Sequence, residues 1–359
     1  MKRDSNIELL RILAILMIIA SHFSLHGIFR STQFQNNLIV AGFFNQFIAA
    51  SLILGDVGVG IFFTITGYFY SCKEKIMLNK KIIAAIISYS VLNVVIIFLF
   101  GFNVLPTLSN KELVKYILKT LLMPITSSTW WFASAYIYLI VLISPLVNSR
   151  IRNTSKKGYY ILVVLMLFFM YISNILNNPV HGVIKALTYY LIGGYIRRYF
   201  DYELKKYLLV IFGVTITLLL HCVIMYYSYF SNHIFIKILG NFMYNVFVCP
   251  VMVMMIFIFF KNIFILKERN VDFINLIADT TFGIYLLHDS PFVRPLLWSK
   301  VIPAIDLYKS NIFPLYALVS ILVVFAFSSV FNILYKYILE KRVISVVDNC
   351  VVYIKQIVR

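Results

Sequence analysis

Residues 8–29 read ELLRILAILMIIASHFSLHGIF. An unbroken, largely apolar run of this length spans the hydrocarbon core of a bilayer as one helix. It does not read as a removable leader, whose apolar stretch is shorter; this run contains Arg11 and continues past Ser21 and His22 to Phe29. A charge within a span costs several kcal/mol, so an intramembrane arginine points to function by default. Arg11 and His22 are eleven helical steps apart, about 20° from a whole number of turns, which puts both on one face roughly 16 Å apart. One helix thus offers a fixed cation near one membrane surface and a titratable imidazole deeper in.

The rest of the chain extends this reading. Its 359 residues are 61% hydrophobic and 13% charged. Apolar stretches recur at 8–29, 56–72, 82–102, 130–149, 158–176, 181–200, 207–228, 238–260, 273–293 and 312–339. The expected fold is an all-α integral membrane protein, a bundle of about ten transmembrane helices over residues 1–345 with a short cytoplasmic tail, 346–359. Residues 38–54, apolar but carrying Asn45 and Gln46, read as an interfacial or re-entrant helix. Lys111, Lys115 and Lys119 recur every four residues, the mark of an amphipathic surface helix.

The net charge of +18 would suggest a nucleic-acid partner in a soluble protein. Here it reads as topology signal, and no nucleic-acid partner is expected. With the N-terminus inside, 22 of the 32 basic residues fall on the inner side and nine on the outer, Arg11 lying within the first span. That alternation predicts both termini in the cytoplasm. Cys72, Cys222, Cys249 and Cys350 have neither metal nor redox spacing.

Three stretches carry the chemistry. Glu8 lies one turn before Arg11 and can pair with it; alternatively Arg11 is an anion site, since a guanidinium holds phosphate oxygens in a planar fork. His22 is either a satisfied core histidine or a general base. His26 one turn later raises a metal site, but two histidines without a third ligand are weak evidence and no metal is expected. In GDVGVGIFFTITGYFY, 55–70, four glycines allow close packing, Asp56 could orient a histidine or bind sugar hydroxyls, and Thr64 and Thr66 add hydroxyls. In DTTFGIYLLHDSP, 279–291, His288 and Asp289 fall near the outer end of a span, at the depth of His22 and Asp56. Trp130 and Trp131 suit an aromatic belt or sugar stacking.

Together these motifs resemble the acyltransferase family 3 membrane proteins, which acylate bacterial surface polysaccharides. The likeness covers nearly the whole chain. It rests on Arg11 and His22 with Glu8 before them, on Phe62, Phe63 and Gly67 (with Thr66 where serine is usual), on Trp131-Phe132 with Pro145, on LIGGYIRRY at 191–199 and on FGIYLLH at 282–288. The resemblance implies a multi-pass protein of the bacterial plasma membrane. It implies an acyl-CoA donor, acetyl-CoA above all, held by Arg11 with Glu8, Arg197 and Arg198. The acceptor would be a hydroxyl of an exported glycan or its lipid-linked precursor, bound near Thr66, Trp130 and Trp131, with His22, Asp56 and His288 as catalytic groups. Other polysaccharide-synthesis proteins are possible partners. A transporter or flippase for a glycan precursor and a non-catalytic scaffold are the competing readings; no internal symmetry supports the former.

Overall fold

The computed structural model describes residues 4–74, 76, 78–104, 109–122, 124–125, 130–200, 207–263, 271–290 and 292–357. Of the inner-side basic residues counted above, Lys2, Arg3, Lys75, Lys205, Lys206, Lys267, Arg269 and Arg359 lie outside that set, as does Pro291 of the stretch 279–291. Every regular element among the described residues is helical. In chain order they are α1 (Ser5–Phe29), α2 (Phe43–Ser51), α3 (Gly55–Tyr70), α4 (Lys80–Val104), α5 (Asn110–Leu122), α6 (Trp131–Ile151) and α7 (Lys156–Ile175). There follow α8 (His181–Tyr199), α9 (Tyr207–Phe230), α10 (Ile234–Asn262), α11 (Asp272–Ala278), α12 (Thr281–His288), α13 (Phe313–Tyr335) and α14 (Lys341–Ile357).

Among the described residues, eight helices are long and apolar enough to cross a membrane, against the ten spans expected. The two that fall short have identifiable causes. The 19-residue α8 carries Lys185, Arg197 and Arg198. The stretch 273–293 is interrupted after α11. There the Thr280 hydroxyl donates to the Ile277 carbonyl (2.7 Å) and that of Thr281 to the Ala278 carbonyl (2.8 Å), bonds that compete with the helical ladder. The segment α2 is short and bends straight into α3; its buried Asn45 donates to the Tyr308 and Ser310 carbonyls, both at 2.9 Å. The stretch read as a tail is the second half of α14, whose Asp348 pairs with Lys80 at 2.6 Å.

The core is α3, flanked by α1 and α8. Helices cannot rely on the hydrophobic effect for mutual attraction in lipid, so close backbone contact matters most. At Gly193 a Cβ would fall on the Thr64 carbonyl and the Tyr68 amide of α3, and at Gly58 on the Ala14 carbonyl of α1. The Gly58–Ala14 contact fixes the rotation of α1, and hence the direction of His22. Large apolar side chains face outward instead, as on α7 (Leu165, 61% exposed) and α9 (Leu219, 61%), where lipid would cover them. Gly193→Val must therefore push α8 off α3. The expected result is a loss of at least roughly 1–3 kcal/mol, read as a lowered Tm in detergent.

Candidate active site

The site is built where α1 meets α12. Two buried bonds hold α12 against the start of α6: Trp130 Nε1 donates to the Leu286 carbonyl at 3.0 Å, and the Phe132 amide donates to the Tyr285 hydroxyl at 3.3 Å. The final turn of α12 then presents His288, 1% exposed, to His22.

The hydrogen bonds determine which ring nitrogens carry protons. His288 Nδ1 lies 2.6 Å from the Ile284 carbonyl, which can only accept, so Nδ1 is the protonated nitrogen. Neutral His288 therefore has its lone pair on Nε2, which is 3.1 Å from His22 Nδ1. His22 must donate there from Nδ1, and its own lone pair is left on Nε2. A histidine in this tautomer has a base aimed away from its partner. The carboxylate nearest His22 is Asp289, whose Oδ1 is 3.7 Å from Nδ1 and 3.0 Å from Arg294 Nη1. Asp289 is 4% exposed in its side chain, so the anion is both sheltered and paired.

Two cavities approach this centre from opposite ends of α1. One, of about 800 Å³, is lined by His22, His26, Asp56, Trp131, Asp289 and Arg294. The other, of about 220 Å³, is lined by Arg11, Phe62, Thr66, Tyr70, Phe132 and Tyr136. Ile18, two turns beyond Arg11 on the same face, lines both, and so does Tyr285. Arg11 engages Glu8 through Nη1 alone, at 3.3 Å, and its side chain is 34% exposed.

The other expected site residues divide. Asp56 lines the larger cavity but is held by Lys185 Nζ at 2.8 Å, so its carboxylate faces a cation rather than a histidine. Thr66 lies in the smaller, Arg11 cavity, its hydroxyl donating to the Phe62 carbonyl at 2.8 Å. Trp131 is partly exposed in the larger cavity, while Trp130 is 1% exposed within the core. Arg197 and Arg198 line neither cavity. Arg197 donates to the Tyr68 hydroxyl at 3.1 Å; Arg198 grips the Ile151 and Arg152 carbonyls. His22, His26 and Asp289 offer three ligand atoms within 4.8 Å of one another, a spacing that a metal ion could bridge. Two of the three are committed to His288 and Arg294, and the Arg294 cation disfavours a second positive charge.

Asp289, Arg294 and Tyr285 were not singled out as site residues from sequence. Asp289 follows His288 directly, and that adjacency was the available signal. Arg294 stands on a four-residue helix, Val293–Leu296, with no periodicity to mark it.

The fold and site define a multi-pass membrane protein with a histidine centre reached from both ends of one helix. The profile of the acyltransferase 3 family, described as an acyltransferase domain, matches residues 4–333, and the chain belongs to that family. No curated protein and no solved structure matches it.

Proposed function

We propose that this membrane acyltransferase moves an acetyl group from cytoplasmic acetyl-CoA to a hydroxyl of an exported or cell-surface polysaccharide, or of its lipid-linked precursor. The observation that carries the reading is the pair of cavities meeting at Ile18 and Tyr285, one holding Arg11 and the other His22. The basic-residue count supports placing Arg11 towards the cytoplasm, with both termini inside a ten-crossing arrangement that includes α8 and the broken α11–α12 unit.

In this reading Arg11 binds a phosphate of the donor, and the aromatic-lined cavity takes the pantetheine arm. The acceptor enters the larger cavity. His22 Nε2 removes the proton from its hydroxyl as the oxygen attacks the thioester carbonyl. The C–S bond breaks, the thiolate leaves, and the imidazolium returns the proton to sulfur. Each atom is accounted for by an ester and a free thiol, and no metal is called for. Meanwhile Asp289 offsets the transient imidazolium charge. Holding two substrates end to end converts a bimolecular encounter into a positioned one.

The test is acetyl-CoA binding to the purified protein in detergent, with and without a chelator. Arg11→Ala should weaken binding by roughly 10- to 100-fold, the loss of a charge-assisted phosphate contact, and the chelator should change nothing. Equal binding by the variant would remove Arg11 from the donor site. Failure of the well-folded wild type to bind would remove the donor itself.

A further inference from the structure

The larger cavity does not end at the histidines. It adjoins a second one of about 590 Å³, and the two share His26, Arg30 and Arg294. Charge in this joined space is one-sided. Lys237 lines the first cavity and Lys300 the second, while Arg30 lines both. The two carboxylates of the first cavity are already taken, Asp56 by Lys185 at 2.8 Å and Asp289 by Arg294 at 3.0 Å. The second contributes one carboxylate, Asp306. Arg30, Lys237 and Lys300 have no ion-pair partner among the described residues. Like charges gathered in a concave, low-dielectric wall focus field and raise the local concentration of the opposite charge.

A second observation is independent of these cations. Trp298 lines the same space and is 1% exposed, yet its Nε1 has no hydrogen-bond partner. An indole N–H only donates, and a buried donor left unmatched calls for an acceptor. It asks for a ligand oxygen, as the guanidinium and ammonium groups do.

We propose that the acceptor is an anionic glycan, its sugar or polyol units bearing carboxylate or phosphate groups, held by Arg30, Lys237 and Lys300 with Trp298 Nε1 donating to it. This rests on the functional reading above and names the substrate class of that site. The anion sets the register of the chain, so that a neighbouring hydroxyl reaches His22.

The test uses purified full-length protein in neutral detergent. Fluorescent hexagalacturonate, a glycerol-phosphate oligomer of matched length and neutral cellohexaose are titrated at low and high salt, with acetyl-CoA binding measured in each preparation. At least one of the two anionic probes should bind, and whichever does identifies carboxylate or phosphate as the recognised group. Neutral cellohexaose should bind at least roughly tenfold more weakly, and salt should abolish the difference. Arg30→Gln and Lys237→Gln should each weaken the anionic probe about fivefold. Lys309→Gln, an equal charge change outside both cavities, should not. Equal affinity for cellohexaose, or no binding of either anion, overturns the proposal. So does displacement of the anionic probes by phosphatidylglycerol vesicles without any response to the variants, since the site would then be a lipid contact. Binding of the glycan by protein that takes no acetyl-CoA would instead remove the acyltransfer reading.

Discussion

His22→Ala should abolish acyl transfer while leaving the protein in the membrane. The side chain makes one hydrogen bond, at 3.1 Å to His288, and ring contacts with His26 and His288, all at the wall of a cavity. The helix carrying it is held by Ala14 against Gly58 and by Ile15 and Ile19, both fully buried, so its seating does not depend on the imidazole. The chemistry does. A positioned general base contributes about 10²–10⁴-fold, and without it the acceptor hydroxyl stays protonated at neutral pH. The measurement is acetyl transfer in reconstituted membranes, alongside acetyl-CoA affinity and detergent Tm. Transfer should fall by roughly that factor, with donor affinity unchanged. Retained transfer would show that the reaction does not use His22 as its base.

Much of this was legible in the chain. The Arg11–His22 spacing fixes one helical face, and the structure uses that face: Arg11 opens one cavity, His22 another, and Ile18 stands between. Outer-end depth placed His288 level with His22, and the two do meet. Pairing between helices was not legible. Sequence offered Asp56 as the carboxylate to orient a histidine, whereas the structure puts Asp289 beside His22. What separates them is Lys185, 129 residues from Asp56 in the chain, which claims that carboxylate through the packing of α8 on α3. The same limit applies to Trp130 and Trp131. They are neighbours in sequence at one membrane depth, yet helix rotation turns one into the core and leaves the other at the cavity wall. Two of the ten expected spans fall short of a crossing helix by length and composition, where composition and geometry part. The helix α8 is charged at both ends, yet Tyr189 and Tyr190 are among its fully buried residues, and no hydropathy window reports that. The stretch 273–293 is apolar on average but cut in two by threonine hydroxyls.

His288→Ala should be nearly as damaging as loss of His22, for a reason that separates positioning from structure. His288 does not line the space where substrates meet; it acts on His22. Its Nδ1–H is anchored to the Ile284 carbonyl, so its Nε2 is available only as an acceptor, and His22 is thereby obliged to carry its proton on Nδ1. Without that acceptor, neutral His22 is free to hold its proton on Nε2, the nitrogen that must be bare to act as a base. Asp289 cannot fully substitute, since it lies 3.7 Å from Nδ1 and is drawn to Arg294 at 3.0 Å. A histidine held in the wrong tautomer costs up to about 10⁴-fold in turnover where this has been isolated, and a loss of roughly 10²–10⁴-fold is expected here. It should appear in kcat, with the KM for acetyl-CoA unchanged, because Arg11 and the donor cavity lie at the other end of α1. A purely structural role for His288 would lower Tm and abundance and shift both constants together. Nitrogen-15 chemical shifts of the two histidines supply the second readout. In the wild type His22 should show a protonated Nδ1 and a bare Nε2, and in His288→Ala a mixture of both tautomers. A variant that kept the wild-type tautomer yet lost turnover would assign His288 to the reacting groups themselves.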